Sequence, residues 1–267
     1  MKTKKVLSLL LSTLLVLIIF VSCNSTSSNT TNGGLDKVKK SKTLLVGLDD
    51  SYPPMEFRDE KNNLAGFDID MANEIGKRLG VKTQFVTTDF NGILLALKSG
   101  KFDIIIASLS ITDERKKEID FSKSYLDGGQ IIIIKKGTTS IKKATDLTGK
   151  TLGVQLGTTG EQAAIKVQAS KEVKKYDKIT EALHDLSIGR VDCVIADKQV
   201  GEYYISKETN SFTVLSDTLT KEPTGIGFKK DDSNLKTAIQ KALDNATADG
   251  TMGKLSIKWF GHDIYKQ

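Results

Sequence analysis

The chain has 267 residues and a formal net charge of +6, from 39 lysine and arginine residues against 33 aspartate and glutamate residues. Three of the lysines lie in the first five residues, and without them the formal charge falls to +3. This mild charge, with no basic stripe of interleaved aromatic residues, argues against a nucleic-acid-binding protein.

The first 23 residues predict an export signal. Three lysines precede an apolar run over residues 6–21, which is short for a membrane span and typical of a signal peptide. Cys23 follows Phe-Val-Ser, which resembles the bacterial lipobox, although Phe20 stands where leucine is usual. We therefore expect Cys23 to carry fatty acyl chains such as palmitate. A plain secretory signal with an incidental cysteine is the alternative.

Residues 24–41 predict a flexible tether. They are rich in Ser, Thr, Asn and Gly, and they bury too little apolar surface to offset the entropy lost on ordering. The remaining residues, 42–267, are enough for one large or two medium domains.

The next segments alternate between strands and helices. Residues 44–48, 83–87 and 103–107 are predicted strands, and residues 66–80 and 91–100 are predicted helices. This β-α-β-α-β order predicts a parallel sheet with right-handed crossovers.

A polar segment follows the apolar run at residues 103–107. Ser108, Ser110 and Arg115 then lie beyond the carboxyl end of a buried strand, where open α/β sheets bind ligands. The guanidinium of Arg115 suits a carboxylate, because its planar fork offers several donors. The segment thus predicts a site for a small carboxylate; the alternative is a solvated Arg115 in a charged first helical turn.

A second α/β unit is predicted after Gly129. Its strands and helices are expected at residues 130–134, 151–155, from 160, 180–188, 192–196 and after 197. The last part of the chain, residues 225–260, has too few strands to stand alone, so we expect it to return to the first unit. Two lobes joined by two crossings would form a cleft, and such interfaces are favoured ligand sites.

Further candidates for the cleft lie in loops or at strand ends. Thr158 with Glu161 fits a capping box, at a helix start that binds an anion or is an ordinary cap. Asp197 ends a strand and either receives an ammonium group or caps the next helix. Tyr52 and Phe90 either cover a ligand or pack in the core.

Other motifs argue against metal, cofactor and nucleophile chemistry. Cys193 lies in an apolar run and predicts an inert buried thiol. His184 and His262 are far apart in sequence, and no zinc site or Ser-His-Asp triad can be assembled. The GKT at residues 149–151 fails as a phosphate loop, because Ala144 replaces its first glycine and a strand follows.

Six segments together resemble the extracellular solute-binding proteins of family 3, which are polar amino acid-binding proteins of ABC importers. They are DDSYPPMEF (49–57), GFDIDMANEI (66–75), SLSITDERKKEIDFS (108–122), GVQLGTTGE (153–161), VDCVIAD (191–197) and KWFG (258–261). The resemblance implies an α/β, two-lobed Venus flytrap of the type II periplasmic-binding-protein kind. It places lobe 1 at residues 42–127 plus 223–267 and lobe 2 at residues 129–220.

The resemblance also implies how the ligand's backbone groups are held. Arg115 would clamp the α-carboxylate, with help from Ser110 and the helix start at residues 158–159. Asp197 would receive the α-ammonium together with Ser108 and Ser110. A zwitterion that loses its water needs an opposite charge or hydrogen bonds for each of its two charged groups.

The ligand side chain would meet four more residues. Tyr52 and Phe90 resemble the rings that sandwich it, and Asp49 and Gln155 fall where relatives discriminate between side chains. A glutamine-specific relative typically has lysine at the position of Gln155. Asp49, with no basic partner beside it, favours arginine or lysine as ligand; glutamine or another polar amino acid is the alternative.

The implied partners are an ABC permease, its ATPase and, through the lipid anchor, the extracytoplasmic face of the cell membrane. We expect a monomer without enzymatic activity, cofactor or metal. The runner-up is an enzyme similar to cyclohexadienyl dehydratase, whose substrate would leave Asp197 unpaired. A receptor's sensing domain is disfavoured, because the sequence shows no second membrane segment or signalling domain.

Overall fold

The structure of the protein is a computed structural model that describes residues 33–167 and 169–266. The predicted signal, Cys23 and the start of the predicted tether therefore lie outside the described residues. None of the helices within these ranges is long and apolar enough to cross a membrane.

The described elements are listed here in chain order. The strands are β1 Thr43–Leu48, β2 Ser51–Tyr52, β3 Glu56–Arg58, β4 Leu64–Ala65, β5 Lys82–Thr87, β6 Ile104–Ile105, β7 Asp120–Phe121, β8 Leu126–Gly128, β9 Gln130–Lys135, β10 Thr151–Gln155, β11 Glu172–Tyr176, β12 Cys193–Asp197, β13 Phe212–Thr218, β14 Glu222–Thr224 and β15 Gly227–Phe228. The helices are α1 Gly34–Ser41, α2 Phe67–Leu79, α3 Ile93–Ser99, α4 Asp113–Glu118, α5 Thr159–Ile165, α6 Ile179–Ser187, α7 Lys198–Lys207, α8 Ser233–Ala248 and α9 Thr251–Phe260, with 3₁₀ turns at Phe90–Gly92 and Ala144–Leu147.

Lobe 1 is built on a five-stranded sheet in the order β5-β1-β6-β15-β7. Its first three strands are parallel, as the β-α-β-α-β pattern predicts, and β15 and β7 add antiparallel pairs. Because β15 comes from the last part of the chain, that part does return to the first unit. Helix α2 buries Ile69, Met71, Ala72 and Ile75 and ends at Gly80, whose left-handed backbone (φ 70°) closes the helix.

Lobe 2 is built on a second five-stranded sheet in the order β11-β10-β12-β9-β13. Strands β11, β10 and β12 are parallel; β9 pairs antiparallel with β12, and β13 pairs antiparallel with β9. Edge strands β11 and β13 escape the sequence analysis because their burial is mixed, so their residues lack the continuous apolar pattern of a central strand. Cys193 is fully buried in β12, as predicted.

The two crossings between the lobes lie side by side. Strands β8 and β14 form an antiparallel pair with Gly128 opposite Glu222. A Cβ atom on Gly129 would lie 2.0 Å from the backbone oxygen of Thr220, so only glycine fits where the chain enters lobe 2. The exact limits of the lobes, residues 42–127 plus 223–267 and 129–220, stay a prediction.

The predicted tether is wrong over residues 34–41, which form helix α1. Val38 is buried against lobe 1, Lys37 Nζ lies 2.7 Å from Asp103 Oδ1, and the Gly34 N–H donates to Asp232. One apolar contact and two long-range polar contacts therefore hold a segment whose polar composition predicts disorder.

Candidate functional site

Nine of the ten residues proposed from the sequence line one small cavity between the lobes. Its lining is Tyr52, Phe90, Ala107, Ser108, Ser110, Arg115, Gln155, Thr158, Thr159 and Asp197. Residues of lobe 1 follow the carboxyl ends of β1, β5 and β6, and residues of lobe 2 end or follow β10 and β12. The site thus forms at the carboxyl edge of both parallel arrangements, as open α/β sheets predict.

Asp197 faces the cavity and not the helix that follows it. It occupies the N-cap position of α7 without a capping hydrogen bond from its side chain. Its Oδ2 instead accepts from the Tyr52 hydroxyl at 2.9 Å and the Ser108 hydroxyl at 3.3 Å, both from lobe 1. Burial raises the pKa of Asp197 to about 6; the Tyr52 hydrogen bond opposes this shift and the charge of Glu222 adds to it.

Arg115 is only 7% exposed, which excludes the solvated alternative. Its Nη1 donates to the Ser110 backbone oxygen at 2.9 Å, and its Nη2 donates across the cavity to the Gly157 oxygen at 3.1 Å. The Phe90 ring centre lies 5.4 Å from Arg115 Cζ, within range of a cation-π contact. Burial lowers the pKa of Arg115 and the Asp197 charge raises it, but a guanidinium stays protonated at any physiological pH.

Hydroxyl groups join the two sides of the cavity. Ser110 Oγ lies 3.2 Å from Thr159 Oγ1 of lobe 2. Thr158 Oγ1 accepts from the Glu161 N–H at 3.1 Å, but the Glu161 carboxylate accepts from Gly157 and not from Thr158. The predicted capping box therefore forms in one direction only.

Asp49 lies behind the lining and is 2% exposed. Its Oδ1 accepts from the hydroxyl of Ser51 at 2.7 Å, and its Oδ2 accepts from Gln155 Nε2 at 2.5 Å. Burial raises the pKa of Asp49, while Ser51, Gln155 and the charge of Lys178 lower it. Lys178 Nζ lies 3.2 Å from Asp50 Oδ1, and its charge also acts on Asp49, so the expectation of no basic group beside Asp49 is wrong.

Gln155 presents an acceptor without a donor. Its Nε2 donates to Asp49 and, at 3.0 Å, to the Asp177 backbone oxygen, so both amide hydrogens are taken. Its Oε1 is buried and has no hydrogen-bond partner among the described residues. Asp49 thus fixes the orientation of an amide that lines the cavity.

Two polar residues of the site escape the sequence analysis. Gln130 Nε2 donates to Thr159 Oγ1 at 3.0 Å and to Asp197 Oδ1, and Glu222 Oε2 accepts from Thr159 Oγ1 at 2.6 Å. They begin β9 and β14, where the chain crosses between lobes. A polar residue next to a predicted crossing is the signal that would have found them.

The cavity has a volume of only about 10 Å³, space for about one water molecule. An amino acid therefore needs the lobes to move apart, and closure around it would exchange the cross-lobe hydrogen bonds for bonds to the ligand. Within residues 33–167 and 169–266, no group of three or more His, Cys, Asp or Glu side chains is placed to hold a metal ion.

Comparison with known proteins identifies the family. Among curated relatives, the L-cystine-binding protein TcyJ of Escherichia coli (strain K12) is 35% identical over 93% of this chain and 94% of that protein. A solved ancestral arginine-binding protein bound to arginine is 47% identical, with a TM-score of 0.79, and covers 82% of this chain and 99% of that chain. A solved ancestral amino acid-binding protein, a precursor of cyclohexadienyl dehydratase, is 40% identical with a TM-score of 0.81, covering 85% and 99%.

Residues 44–262 match the sequence model of one family along most of the chain. This match agrees with the two lobes, the crossings and the cavity at the strand ends. The chain belongs to the bacterial extracellular solute-binding proteins, family 3.

Proposed function

We propose that the protein captures a polar L-amino acid, with arginine or lysine favoured, and delivers it to the permease and ATPase of an ABC importer. The observation that carries the proposal is the presence of Arg115 from lobe 1 and Asp197 from lobe 2 at one cavity. One is suited to an α-carboxylate and the other to an α-ammonium.

The backbone groups of an amino acid match the donors and acceptors at this cavity. Arg115 with the hydroxyls of Ser110 and Thr159 supplies donors for a carboxylate, and Asp197 with Ser108 supplies acceptors for an ammonium. Both ligand charges lose water on closure, and each is stabilised only if an opposite charge replaces that water. Because the two charged groups come from different lobes, the complete site requires closure.

Two observations favour a cationic side chain. No donor among the described residues reaches Gln155 Oε1, so this oxygen can accept a hydrogen bond from a guanidinium or ammonium group. Around Thr159, the carboxylates of Asp197 and Glu222 carry two negative charges against the one positive charge of Arg115. A ligand with a net positive charge balances this excess negative charge. Glutamine offers amide donors but no charge, and it is the second candidate.

Titration calorimetry with the twenty amino acids and L-cystine tests this specificity. We expect the strongest binding with L-arginine or L-lysine and weaker binding with L-glutamine. Tightest binding of an uncharged or acidic amino acid would contradict the cationic preference, and absence of any binder would contradict the function.

We further propose that the protein performs no chemistry on its ligand. Asp197 has a neutral hydroxyl or amide donor at each oxygen, an arrangement suited to receiving an ammonium. A dehydratase substrate without an ammonium leaves this buried carboxylate without a cation. Mass spectrometry of ligand recovered after long incubation should show unchanged mass, and a dehydrated product would establish an enzyme.

The N-terminal segment supports an extracytoplasmic protein with a lipid anchor, and we propose that it acts as a monomer. Two acyl chains at Cys23 would give stable anchoring where one chain is marginal. Replacing Cys23 by serine should release the protein from the membrane fraction into the medium. Equal membrane retention of the parent and Cys23→Ser proteins would show that lipidation does not hold it there.

A further inference from the structure

Two buried carboxyl groups lie beneath the cavity in lobe 1. Glu56, in β3, is 0% exposed, and Asp68, in the first turn of α2, is 1% exposed. Asp68 Oδ2 accepts from the backbone N–H of Ser108 at 2.8 Å and from the Tyr125 hydroxyl at 3.0 Å. Asp68 therefore joins a residue of the cavity to the residue that precedes crossing strand β8.

The remaining oxygens of the two carboxyl groups have no donor from elsewhere. Glu56 Oε1, Glu56 Oε2 and Asp68 Oδ1 are all buried without a hydrogen-bond partner among the described residues. The backbone brings the two residues together, because the Asp68 N–H donates to the oxygen of Met55, the residue before Glu56, at 2.9 Å. A hydrogen bond between the two carboxyl groups accordingly contributes to the pKa of each. Two carboxylates only repel, so a bond between them requires a proton.

The surroundings favour a single negative charge on the pair. Besides Asp68, the charges that act most strongly on Glu56 are those of the Asp49 and Asp197 carboxyls. The charge of Glu56 also raises the pKa of the Tyr52 phenol, and the charge of Asp68 raises the pKa of the Tyr125 and Tyr265 phenols. All of these groups are acidic, and no cation of residues 33–167 and 169–266 is among those that act most strongly on the pair, so a second buried negative charge would be costly.

The pKa directions agree with this geometry. Burial, followed by the charge of Asp68, raises the pKa of Glu56 well above its ordinary value. Burial raises the pKa of Asp68 to about 7, while its bonds from Ser108 and Tyr125 lower it. Because Asp68 already accepts two donors and Glu56 accepts none, the proton belongs on Glu56.

We propose that Glu56 and Asp68 share one proton, and that this pair positions Ser108 at the cavity and Tyr125 at the crossing. Ser108 has a left-handed backbone (φ 46°), which is unfavourable for a residue with a side chain. The bond from its N–H to Asp68 holds that conformation. The Ser108 hydroxyl then reaches Asp197 of lobe 2.

The shared proton is tested on the ligand-free protein by measuring its free energy of unfolding from pH 5 to pH 9. A carboxyl whose folded pKa is raised contributes stability below its unfolded pKa and loses it as the pH rises through the folded pKa. The parent should therefore lose stability with rising pH, and Glu56→Gln should reduce this loss. Asp103→Asn, which removes a buried carboxylate paired with Lys37, should keep the parent's slope. An unchanged slope in Glu56→Gln would place the proton elsewhere.

The positioning role rests on the proposed function and is tested by affinity for L-arginine. The Glu56→Gln amide still donates to Asp68, whereas Glu56→Leu leaves Asp68 Oδ1 buried without a donor. Because Asp68 then no longer fixes the Ser108 N–H, Glu56→Leu should bind L-arginine about 2- to 30-fold more weakly than Glu56→Gln. Equal affinities would refute positioning.

A second variant tests the proposal if Glu56→Leu does not fold. Tyr125→Phe removes one donor from Asp68 and should move the stability loss to higher pH, because the pair then holds its proton more tightly. An unmoved pH profile would refute the shared proton. If the parent binds none of the amino acids tested, the proposed function fails, but the unfolding experiments still decide whether Glu56 and Asp68 share a proton.

Discussion

The two lobes build their halves of the cavity by different means. In lobe 2, Gln155 and Asp197 are the last residues of neighbouring strands β10 and β12, and parallel pairing brings them to one edge. In lobe 1, Ser108 lies beyond β6 with a left-handed backbone, and its N–H donates to buried Asp68. Lobe 2 thus places its groups by strand register, and lobe 1 by a polar network beneath the surface.

This difference predicts how each half responds to mutation. A change at the surface of the lobe 2 half should remove one interaction and leave the ladder intact. In lobe 1, a change several residues away from the ligand should also weaken binding, because the loop's conformation depends on groups below it. The following substitutions test each side of this comparison.

The largest effect is expected for Arg115→Ala in lobe 1. Truncating one partner of a desolvated charge pair typically costs about 2 to 5 kcal/mol, so affinity for L-arginine should fall about 30-fold to several thousandfold. Calorimetry and thermal melting should be measured together, because Arg115 also donates to two backbone oxygens. Arg190→Ala is a control, since the side chain of Arg190 is 66% exposed in a surface ion pair. Unchanged affinity would remove Arg115 from the site.

A smaller effect is expected for Asp197→Asn in lobe 2. The amide keeps the shape and removes the charge, and hydrogen bonds to charged groups contribute about 1.5 to 3 kcal/mol, so the loss should be about 10- to 150-fold. Since the pKa of Asp197 is about 6, the parent should lose affinity as the pH falls below about 6 and the carboxylate becomes protonated. Calorimetry from pH 4.5 to pH 8 measures this, and an equal pH dependence in Asp197→Asn would assign it to another group.

Asp49→Asn tests whether the contact between Asp49 of lobe 1 and Gln155 of lobe 2 determines which ligand is preferred. Asp49 accepts from both Ser51 and Gln155, and an amide cannot accept at both places, so the orientation of Gln155 is no longer fixed. Arginine and lysine affinity should fall about 5- to 30-fold, for about 1 to 2 kcal/mol, and glutamine affinity less. Asp50→Asn removes the neighbouring carboxylate without touching Gln155. Equal losses for all three ligands would show that Asp49 is only structural.

The smallest effect is expected for Gly157→Ala, where lobe 2 comes close to lobe 1. A Cβ atom there would lie 2.9 Å from the Asn91 Cα, and the backbone is left-handed (φ 80°). Gly137→Ala is a matched control with φ 85° and open space around it. Both should lose about 1 to 2 kcal/mol of unfolding free energy, and only Gly157→Ala should weaken ligand binding. Equal affinities for the two variants would show that the close approach is not needed for closure.

The sequence predicts most of the fold and most of the cavity lining, for a physical reason. Buried parallel strands are continuous apolar runs, and the residues after them meet at one edge, so Gln155 and Asp197 are visible in the sequence. Gln130 and Glu222 are not, because their proximity depends on two crossings that are 92 residues apart. The resemblance predicts Asp49 in the site, but Asp49 lies behind Gln155, because sequence spacing does not show which side chain covers another.

The buried thiol of Cys193 lets lobe 2 be followed by itself. Burial raises its pKa to about 12, so it reacts with a thiol reagent only after β12 is exposed and the thiolate can form. In a Cys23→Ser background it is the single sulfhydryl of the chain, which has two cysteines. Movement of the lobes about the crossings leaves β12 covered, whereas local unfolding of its sheet does not. The labelling rate in native buffer therefore reports how often the sheet of lobe 2 unfolds locally, separately from the movement of the lobes that admits a ligand.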